Sequence, residues 1–482
     1  MMHRHNSAVR YRRAVIAFAA AMIALSACAR SSFAQTAPQI DWNKVDSEAL
    51  DYFRTYLRFD TTNPPGNTAA AIAYLKTILD KQGIATETFE SKAGMVTLVA
   101  RIPGPAGVKP LLLMSHADVV PTVAANWTHH PFDADLKDGY VWARGAIDNK
   151  AHGIMALMTM LALKRNGVAL RRGVEMMVNP DEEAGGDNGA TWMVNNHWDA
   201  IDPAFAFNEG GEGAPDWLGV AGTAFLVAVS EKRVNWLHVS VRGKGGHGSV
   251  PKPDNPNLIL INALHRLLEN QPPIRITQIF ADAMDSVAPL EPFPASFELA
   301  HLEWPGMAQL AVAGVLSPYN IQALMRDTIS LTMLNAGIKV NVVPTVADAG
   351  LDCRLLPGTD ADAFLKHLRE QLGAGDFKID YIQRPDDAPP SPTSGEAWDA
   401  INRVVASNFK GAIVVPWMTT GGTDSRVLRA KGVPSYGFVP VILDSVELAR
   451  IHGDDERLSV ENLNRGIKAT YDLTIDLCAA QH

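Results

Sequence analysis

Cysteine is scarce in this sequence, which has only Cys28, Cys353 and Cys478 among its 482 residues. The two that follow Cys28 could form at most one disulfide bond, which excludes a disulfide scaffold. Neither lies at metal-ligand spacing, so nothing indicates a cysteine-based metal site. We therefore expect Cys353 and Cys478 to lie buried as small apolar residues.

Positive charge is also in deficit, because 43 Lys and Arg stand against 52 Asp and Glu and leave a formal net charge of −9. No basic stripe is present that would neutralise phosphates, which argues against nucleic acid as a partner. Internal repeats and coiled-coil heptads are missing as well. Since 482 residues are too many for one average core, the length predicts two domains.

The apolar run from Ala14 to Ala27 is too short to span a bilayer comfortably, and it follows an arginine-rich segment. This order is typical of an export signal, so residues 1–34 are excluded from the predicted fold. Leu25-Ser26-Ala27-Cys28 resembles a bacterial lipobox with Cys28 as the lipidated residue, whereas Ser32-Phe33-Ala34 fits an ordinary signal-peptidase site equally well. The sequence predicts a protein of the bacterial periplasm or one anchored in the envelope, and it leaves the processing route open.

Strands that alternate with helices indicate an α/β fold. Helices are predicted at 45–57, about 68–82 and 151–165, and strands near 85–90, 96–102, 111–115, 173–178 and 204–207. After Glu231 the pattern changes to a strand at 234–241, a helix at 257–269, strands at 338–343 and 346–353, a helix at about 360–372 and a strand at 377–383. This β-α-β-β-α-β order is the ferredoxin-like arrangement.

A run rich in Pro, Asp and Ser, residues 385–395, follows that second pattern and is typical of a linker. A helix at 396–408, a strand at 412–415 and a final helix at 460–478 then resume the first pattern. The sequence thus predicts one domain from 35–231 and 389–482, with a second domain, 232–388, inserted into it.

Residues of the types that bind metals follow several apolar strands. Because alternate strand residues point to one face, His116 and Asp118 leave the end of the strand Leu111–Met114 together. Taken singly, His116 with Asp118 is better explained as a surface pair, Asp148 as a helix N-cap and the acids 181–183 as a solvated charge cluster. Ligands of open α/β sheets bind outside the carboxyl ends of the strands, so the series as a whole predicts a metal site there. The series is His116, Asp148, Glu183 and Glu209.

Two later loops carry further candidates. The backbone N–H groups of the glycine-rich turn Thr419–Asp424 could hold an anion, although a simple tight turn explains the pattern equally well. His452 lies just before the final predicted helix, where a histidine is commonly exposed and inert.

Nine short blocks resemble, in order, the dinuclear zinc exopeptidase family of aminoacylase, carboxypeptidase S, acetylornithine deacetylase and glutamate carboxypeptidase. Any single block is weak, whereas nine in the family's order, spread over about residues 45–475, are highly specific. Glu209 in NEGG and the GGHGSVP motif are most similar to the carboxypeptidase S and N-acyl-amino-acid hydrolase branch. The blocks are SHADVVP, ARGAIDNK, DEEAGG, NEGG, RGKGGHGSVP, NVVP, DCRLLPG, GGTDSR and IHGDDERL.

The resemblance implies a zinc-exopeptidase α/β/α sandwich with an inserted ferredoxin-like α+β domain that acts as a lid or dimerises. It also implies two zinc ions, with Asp148 bridging them. The remaining implied ligands are His116 and Glu209 for the first zinc, and Glu183 and His452 for the second.

The other roles are likewise implied by the resemblance. Asp118 is the carboxylate beside His116, Glu182 is the general base and His247 stabilises the oxyanion. The substrate's free carboxylate is held by Asn341 and Arg354, helped by Gly421, Gly422 and Thr423. Elementary chemistry agrees with this division, since one of two adjacent glutamates can bind metal while the other moves a proton.

The inserted domain is longer than the compact lid of the smallest relatives, with extra sequence around 275–335. In compact relatives the lid forms a dimer and the oxyanion histidine comes from the partner subunit, so the choice between monomer and homodimer stays open.

The sequence predicts a zinc-dependent amide hydrolase acting on N-acyl amino acids or short peptides with a free carboxylate. A di- or tripeptidase is the alternative within the class, and a non-catalytic envelope binding lipoprotein is the alternative outside it.

Overall fold

The computed structural model describes residues 40–384 and 388–480. The predicted export signal, including Cys28, lies outside the described residues. From Asn43 onwards the chain forms one compact unit. Within the described part, no helix combines the length and the apolar character that crossing a bilayer requires.

The helices and strands follow the predicted alternation closely. The strands are β1 (Ala85–Lys92), β2 (Met95–Ile102), β3 (Leu111–His116), β4 (Asp135–Lys137), β5 (Tyr140–Trp142), β6 (Val174–Asn179), β7 (Phe205–Asn208), β8 (Gly213–Pro215), β9 (Thr223–Glu231), β10 (Arg233–Arg242), β11 (Gly246–His247), β12 (Thr328–Ala336), β13 (Val342–Val343), β14 (Val346–Leu355), β15 (Phe377–Gln383), β16 (Ile413–Thr419), β17 (Ser435–Gly437) and β18 (Arg457–Ser459). The helices are α1 (Trp42–Leu57), α2 (Ala69–Lys81), α3 (Lys150–Arg165), α4 (Ala190–Asn196), α5 (Pro256–Glu269), α6 (Gln278–Val287), α7 (Ala295–Leu299), α8 (Met307–Ala313), α9 (Tyr319–Gln322), α10 (Ala361–Leu372), α11 (Glu396–Asn408), α12 (Ser425–Ala430), α13 (Ser445–Leu448) and α14 (Val460–Cys478).

The larger sheet has nine strands in the order β1-β2-β6-β3-β7-β17-β9-β16, with β8 paired to β9. Its centre, β6, β3, β7 and β17, is parallel. All six residues of β3 are buried, which explains why its sequence is almost continuously apolar. Parallel strands end at the same edge, so His116 at the end of β3 lies beside Asn179 at the end of β6. This edge is where the sequence places the metal-binding residue types.

Helices cover both faces of this sheet. On one side, α3 contacts β3 and packs against α14. On the other side, Leu112 and Met114 of β3 share a core with α4 and α12. The predicted α/β/α sandwich is confirmed, and its two helix layers hold the strand ends in place.

The smaller sheet is antiparallel and has the order β12-β14-β10-β15. Alternate residues of these strands form a core with α5 and α10 on one face of the sheet. The chain order β10, α5, β12, β14, α10, β15 is the predicted ferredoxin-like order. Cys353 lies in this core and Cys478 ends α14, and both are buried free thiols, as expected.

The predicted strand at 338–343 is wrong. The strand that pairs with β14 is β12, at Thr328–Ala336, and only Val342 and Val343 are extended in the predicted range. The alternating apolar residues Ile338 and Val340 predict a strand, but their side chains are 94% and 102% exposed. They lie in the loop that leads to the short ribbon β11–β13. Apolar spacing alone could not show that the described part of the chain leaves these two side chains uncovered.

The extra sequence of the inserted region forms four short helices, α6 to α9, of which α6 packs against β16 of the larger sheet.

Lys232 lies between β9 of the larger sheet and β10 of the smaller sheet, and its side chain binds the end of this extra sequence. Its Nζ donates to the carbonyls of Ala323 and Arg326 at 2.8 and 2.9 Å and to Thr328 Oγ1 at 2.9 Å. Burial lowers the pKa of Lys232 to about 7. We propose that the inserted domain extends over 232–388, because β9 and β10 join the two sheets across Lys232.

Candidate functional site

His116 lies at the centre of the site and is 1% exposed. Its Nδ1 is 3.0 Å from the backbone oxygen of Asp118, an arrangement that fixes the ring and leaves Nε2 facing the acids. Nε2 lies 3.0 Å from Asp148 Oδ1 and 3.1 Å from Glu209 Oε2. These three residues form the first group of candidate ligands.

His452 is the centre of a second group. Its Nε2 lies 3.1 Å from Asp148 Oδ2 and 3.1 Å from Glu183 Oε2. Asp148 therefore turns one carboxylate oxygen to each histidine. His452 has a φ of 60°, and this left-handed backbone is typical of residues held in place at functional sites. The structure brings all five predicted metal ligands together, in two groups that share Asp148.

The two adjacent glutamates occupy different positions in the site. Asp181, which has a φ of 73°, turns the chain at the end of β6 before the short helical turn Glu182–Ala184. Glu183 contacts His452, and its Oε1 is buried without a hydrogen bond. Glu182 approaches His116 and Glu209 instead. In the described part of the chain, no hydrogen bond is formed by the Glu182 carboxyl. Glu182 is thus the less constrained of the two.

Asp118 positions both glutamates. Its carboxylate accepts the backbone N–H groups of Glu182 and Glu183, each at 3.2 Å, and the side chain of Asn63 at 2.8 Å. The sequence places Asp118 beside His116, and its Oδ1 is 3.5 Å from His116 Nδ1. The structure adds a second contact, to the acidic loop, that sequence reasoning missed.

Glu456 is the most important residue that sequence reasoning missed. It is completely buried, and its carboxylate accepts the N–H groups of Gly145, Ile147 and Asp148 at 2.9, 2.6 and 3.0 Å. Arg144 Nη1 donates to it at 2.6 Å. Glu456 therefore shapes the loop that carries Asp148. It belongs to the IHGDDERL block, but nothing in that block shows that its partner is a backbone some 300 residues earlier.

Charge is concentrated in the site. Burial raises the pKa of Glu182 well above its usual range, and the nearby charge of Glu209 adds to this shift. Burial likewise raises the pKa of Glu183 to about 7. Hydrogen bonds to Asp148 and Glu183 raise the pKa of His452 to about 10. Acids crowded together retain protons unless a cation offsets their repulsion, so this donor set fits a cation site.

A cavity of about 210 Å³ opens beside these residues. Among the described residues, no lysine or arginine lines this cavity. One wall is apolar and consists of Ile147, Val439, Val441, Leu443 and Ile451. The turn residues Gly421, Gly422 and Thr423 also line the cavity, as the sequence predicts for a substrate-binding turn.

A second buried acid that sequence reasoning missed, Glu231, holds the Gly421–Thr423 turn in place. The backbone N–H of Thr423 donates to Glu231, whose carboxylate also pairs with Arg429. Thr419 Oγ1 donates to the carbonyl of Gly421 at 2.7 Å. Because Glu231 uses the N–H of Thr423, any anion held by this turn would contact its glycines.

His247, Asn341 and Arg354 do not line the cavity. His247 is exposed on the β11–β13 ribbon, where its Nδ1 is 2.7 Å from Ser249 Oγ. Asn341 is exposed beside it and accepts the N–H of Gly248. Arg354 lies on the smaller sheet, and its guanidinium pairs with Asp352 at 2.7 and 3.1 Å. Their assigned roles therefore stay predictions that require the inserted domain, or a second subunit, to approach the cavity.

Replacing Glu456 by glutamine should lower metal affinity by about 10- to 100-fold, because partners that orient ligands have effects of this size. Glutamine keeps the shape but cannot accept all four hydrogen bonds. The measurement is metal content after dialysis against a graded chelator series. Glu175→Gln is the matched control, since Glu175 is also largely buried beside an arginine, Arg101, and lies near the start of β6, at the opposite end of that strand from the site. Equal metal retention by both variants would contradict the assigned role of Glu456.

Comparisons with known proteins agree with this geometry. The model of the family described as Peptidase family M20/M25/M40 matches residues 112–476. The probable carboxypeptidase S-like 2 of Dictyostelium discoideum is 31% identical over 377 residues, which are 76% of this chain and 71% of that protein. Aminoacylase-1 of Sus scrofa is 30% identical over 425 residues, 87% of this chain and 92% of that protein.

A solved structure shows the same fold. The M20 family metallo-carboxypeptidase Sso-CP2 of Sulfolobus solfataricus superposes with a TM-score of 0.68 at 18% identity, covering 89% of this chain and 99% of that one.

Proposed function

This chain belongs to the Peptidase M20/M25/M40 family and is a metallopeptidase-type hydrolase, and we propose that it is a zinc-dependent hydrolase of amide bonds. The substrates we propose are N-acyl amino acids or short peptides with a free carboxylate. The observation that carries the proposal is the pair of ligand groups that share Asp148. Every predicted ligand and Glu182 are present, so the binding-only alternative, which expects one to be lost, has no support.

The donor set fits two zinc ions. His116 and Glu209 would hold one ion, Glu183 and His452 the other, and Asp148 would contribute an oxygen to each. Imidazole and carboxylate at low coordination number suit zinc. The unpartnered Oε1 of buried Glu183 is further evidence that a cation completes the site. When bound, the ions would polarise the scissile carbonyl and make water a better nucleophile.

The chain's own residues would move the protons. Glu182, which is not tied to a histidine, would accept a proton from the attacking water and pass it to the leaving nitrogen. Asp118 keeps Glu182 in place through the backbone of the acidic loop. The apolar wall of Val439, Val441 and Leu443 would keep bulk water away from one side of the cleft.

The similarity to an aminoacylase and to a carboxypeptidase S-like protein supports substrates that end in a free carboxylate. In this chain the cavity-lining glycines of the 421–423 turn and, after closure, Arg354 and Asn341 would bind that carboxylate. Arg354 would have to exchange its present partner, Asp352, for the substrate. Export, a lipid anchor at Cys28 and a homodimer through the inserted domain stay predictions.

Metal removal tests the proposal. Purified protein should contain about two zinc ions per chain and hydrolyse members of a panel of N-acetyl amino acids and dipeptides. A chelator should abolish turnover, and zinc should restore it. Amidated versions of the same substrates serve as controls for the carboxylate. Metal analysis that finds no specific divalent cation, or turnover that survives complete metal removal, would contradict the proposal.

A further inference from the structure

One carboxyl in the cavity has no role in the proposed reaction. Glu212 lines the cavity together with the candidate metal ligands and the apolar wall. In the described residues, its carboxylate forms no hydrogen bond and no ion pair. A partly buried carboxylate without a partner is unfavourable, so its position in a substrate cavity needs an explanation.

The metal ions do not supply that explanation. Two divalent cations would offset the other cavity carboxylates, which belong to Asp148, Glu182, Glu183 and Glu209. The charge of Glu212 is not offset in this balance, and among the described residues no lysine or arginine lines the cavity to neutralise it. Burial, followed by the charge of Asp148, raises the pKa of Glu212 to about 7.

The backbone places Glu212 in the apolar wall. The N–H of Val439 donates to Gly211, that of Gly213 to Val441 and that of Leu443 to Gly213, so residues 211–213 run alongside 439–443. The Gly421–Thr423 turn, which we assign to the substrate carboxylate, lines the same cavity. A substrate lying across the metal centre with its carboxylate at the turn would direct its acyl part toward this wall.

We propose that Glu212 binds a cationic group, an ammonium or a guanidinium, in the acyl part of the substrate. This inference rests on the proposed function and deepens it. Two sources share the chemistry, namely the free α-ammonium of a dipeptide and the side chain of a lysine or arginine whose amino group is acylated. Glu212 would form a charge-assisted hydrogen bond with the cation while the apolar wall packs against the adjacent methylene groups.

Two pairs of substrates with matched shapes test the proposal. Glycyl-leucine and propionyl-leucine differ only in an α-ammonium against a methyl group, and N-acetyl-lysyl-leucine and N-acetyl-norleucyl-leucine differ in the side-chain cation. We expect kcat/KM to favour the cationic member of at least one pair by about 10- to 100-fold, the size expected of a hydrogen bond to a charge. The pair that shows the preference identifies the source of the cation.

Glu212→Gln should reduce that preference to about threefold or less, and Glu212→Asp should retain part of it. Zinc content and thermal unfolding establish that the variants fold. Glu461→Gln, at an exposed position on α14, is the control and should retain the full preference. The proposal is overturned if the parent shows no preference in either pair, or if Glu212→Gln keeps the preference.

Binding measurements distinguish a failure of the Glu212 proposal from a failure of the proposed hydrolase function. The same ligands are titrated into Glu182→Gln protein with and without the Glu212→Gln change. Binding that is selective for the cation and depends on Glu212, without hydrolysis by the parent, would retain the subsite and refute the hydrolase. Hydrolysis of propionyl-leucine and N-acetyl-norleucyl-leucine at the rates of their cationic partners would retain the hydrolase and refute the subsite.

Discussion

Glu182→Gln should retain its metal and lose about 10²–10⁴-fold in turnover, as expected for removal of a general base. The structure supports this role through position, because Glu182 lies beside His116 and Glu209 but is not paired with a histidine. Burial and the charge of Glu209 raise the pKa of its carboxyl, which helps it to hold a proton during the reaction. Glutamine has the same shape and cannot accept that proton.

Glu183→Gln is the matched variant, since it makes the same chemical change one residue away. Glu183 contacts His452 and has an unpartnered buried oxygen, so this variant should lose metal as well as turnover. The measurements are metal content and kcat for both proteins under saturating zinc. If Glu182→Gln emptied the site while Glu183→Gln kept its metal, the two roles would be reversed.

The sequence predicts that the candidate metal ligands lie close together because most of them follow strands with simple patterns, and the structure does bring them together. The buried strand of His116, the parallel order of its neighbours and the acids at their ends are all consequences of local periodicity. Because parallel strands end at the same edge of a sheet, residues that directly follow such strands lie close together in the fold. That is why His116, Glu183 and Glu209 could be grouped before their distances were known, whereas Asp148 follows β5 of the separate three-stranded sheet and reaches them through the loop before α3.

The supporting residues could not be predicted in the same way. Glu456 accepts backbone N–H groups, and a backbone donor leaves no residue-type signal at its own position. Glu231 and Arg429 are likewise defined by their contact between distant segments, and Glu212 is defined by its position in the cavity lining. The strand at 338–343 fails for a related reason, since an apolar run predicts burial only where another element covers it.

The position of His247 relative to the cavity is a property of domain arrangement, which local sequence does not encode. His247 lies on β11 and Asn341 directly precedes β13, both within residues 232–388, whereas every candidate metal ligand lies outside that range, His116 at the end of β3 and the others in connecting segments. Neither residue lines the cavity in this structure. An oxyanion donor has to come within about 3 Å of the reacting oxygen, so a productive complex requires movement of this ribbon or a second chain.

His247→Ala should therefore lower turnover by about 10²–10³-fold while leaving metal content unchanged, since removing an oxyanion donor has an effect of this size and no metal ligand is touched. His265→Ala, at an exposed position of α5 in the same domain, is the control and should behave as the parent does. Mixing His247→Ala with Glu182→Gln protein then shows whether His247 acts in its own chain or in a partner subunit. Recovered activity means that His247 acts across a dimer, whereas none, with subunit exchange confirmed, means that it acts within its own chain. Full activity of His247→Ala alone would show that the closed arrangement is wrong, because substrate binding would then have no need to bring the ribbon to the metal centre.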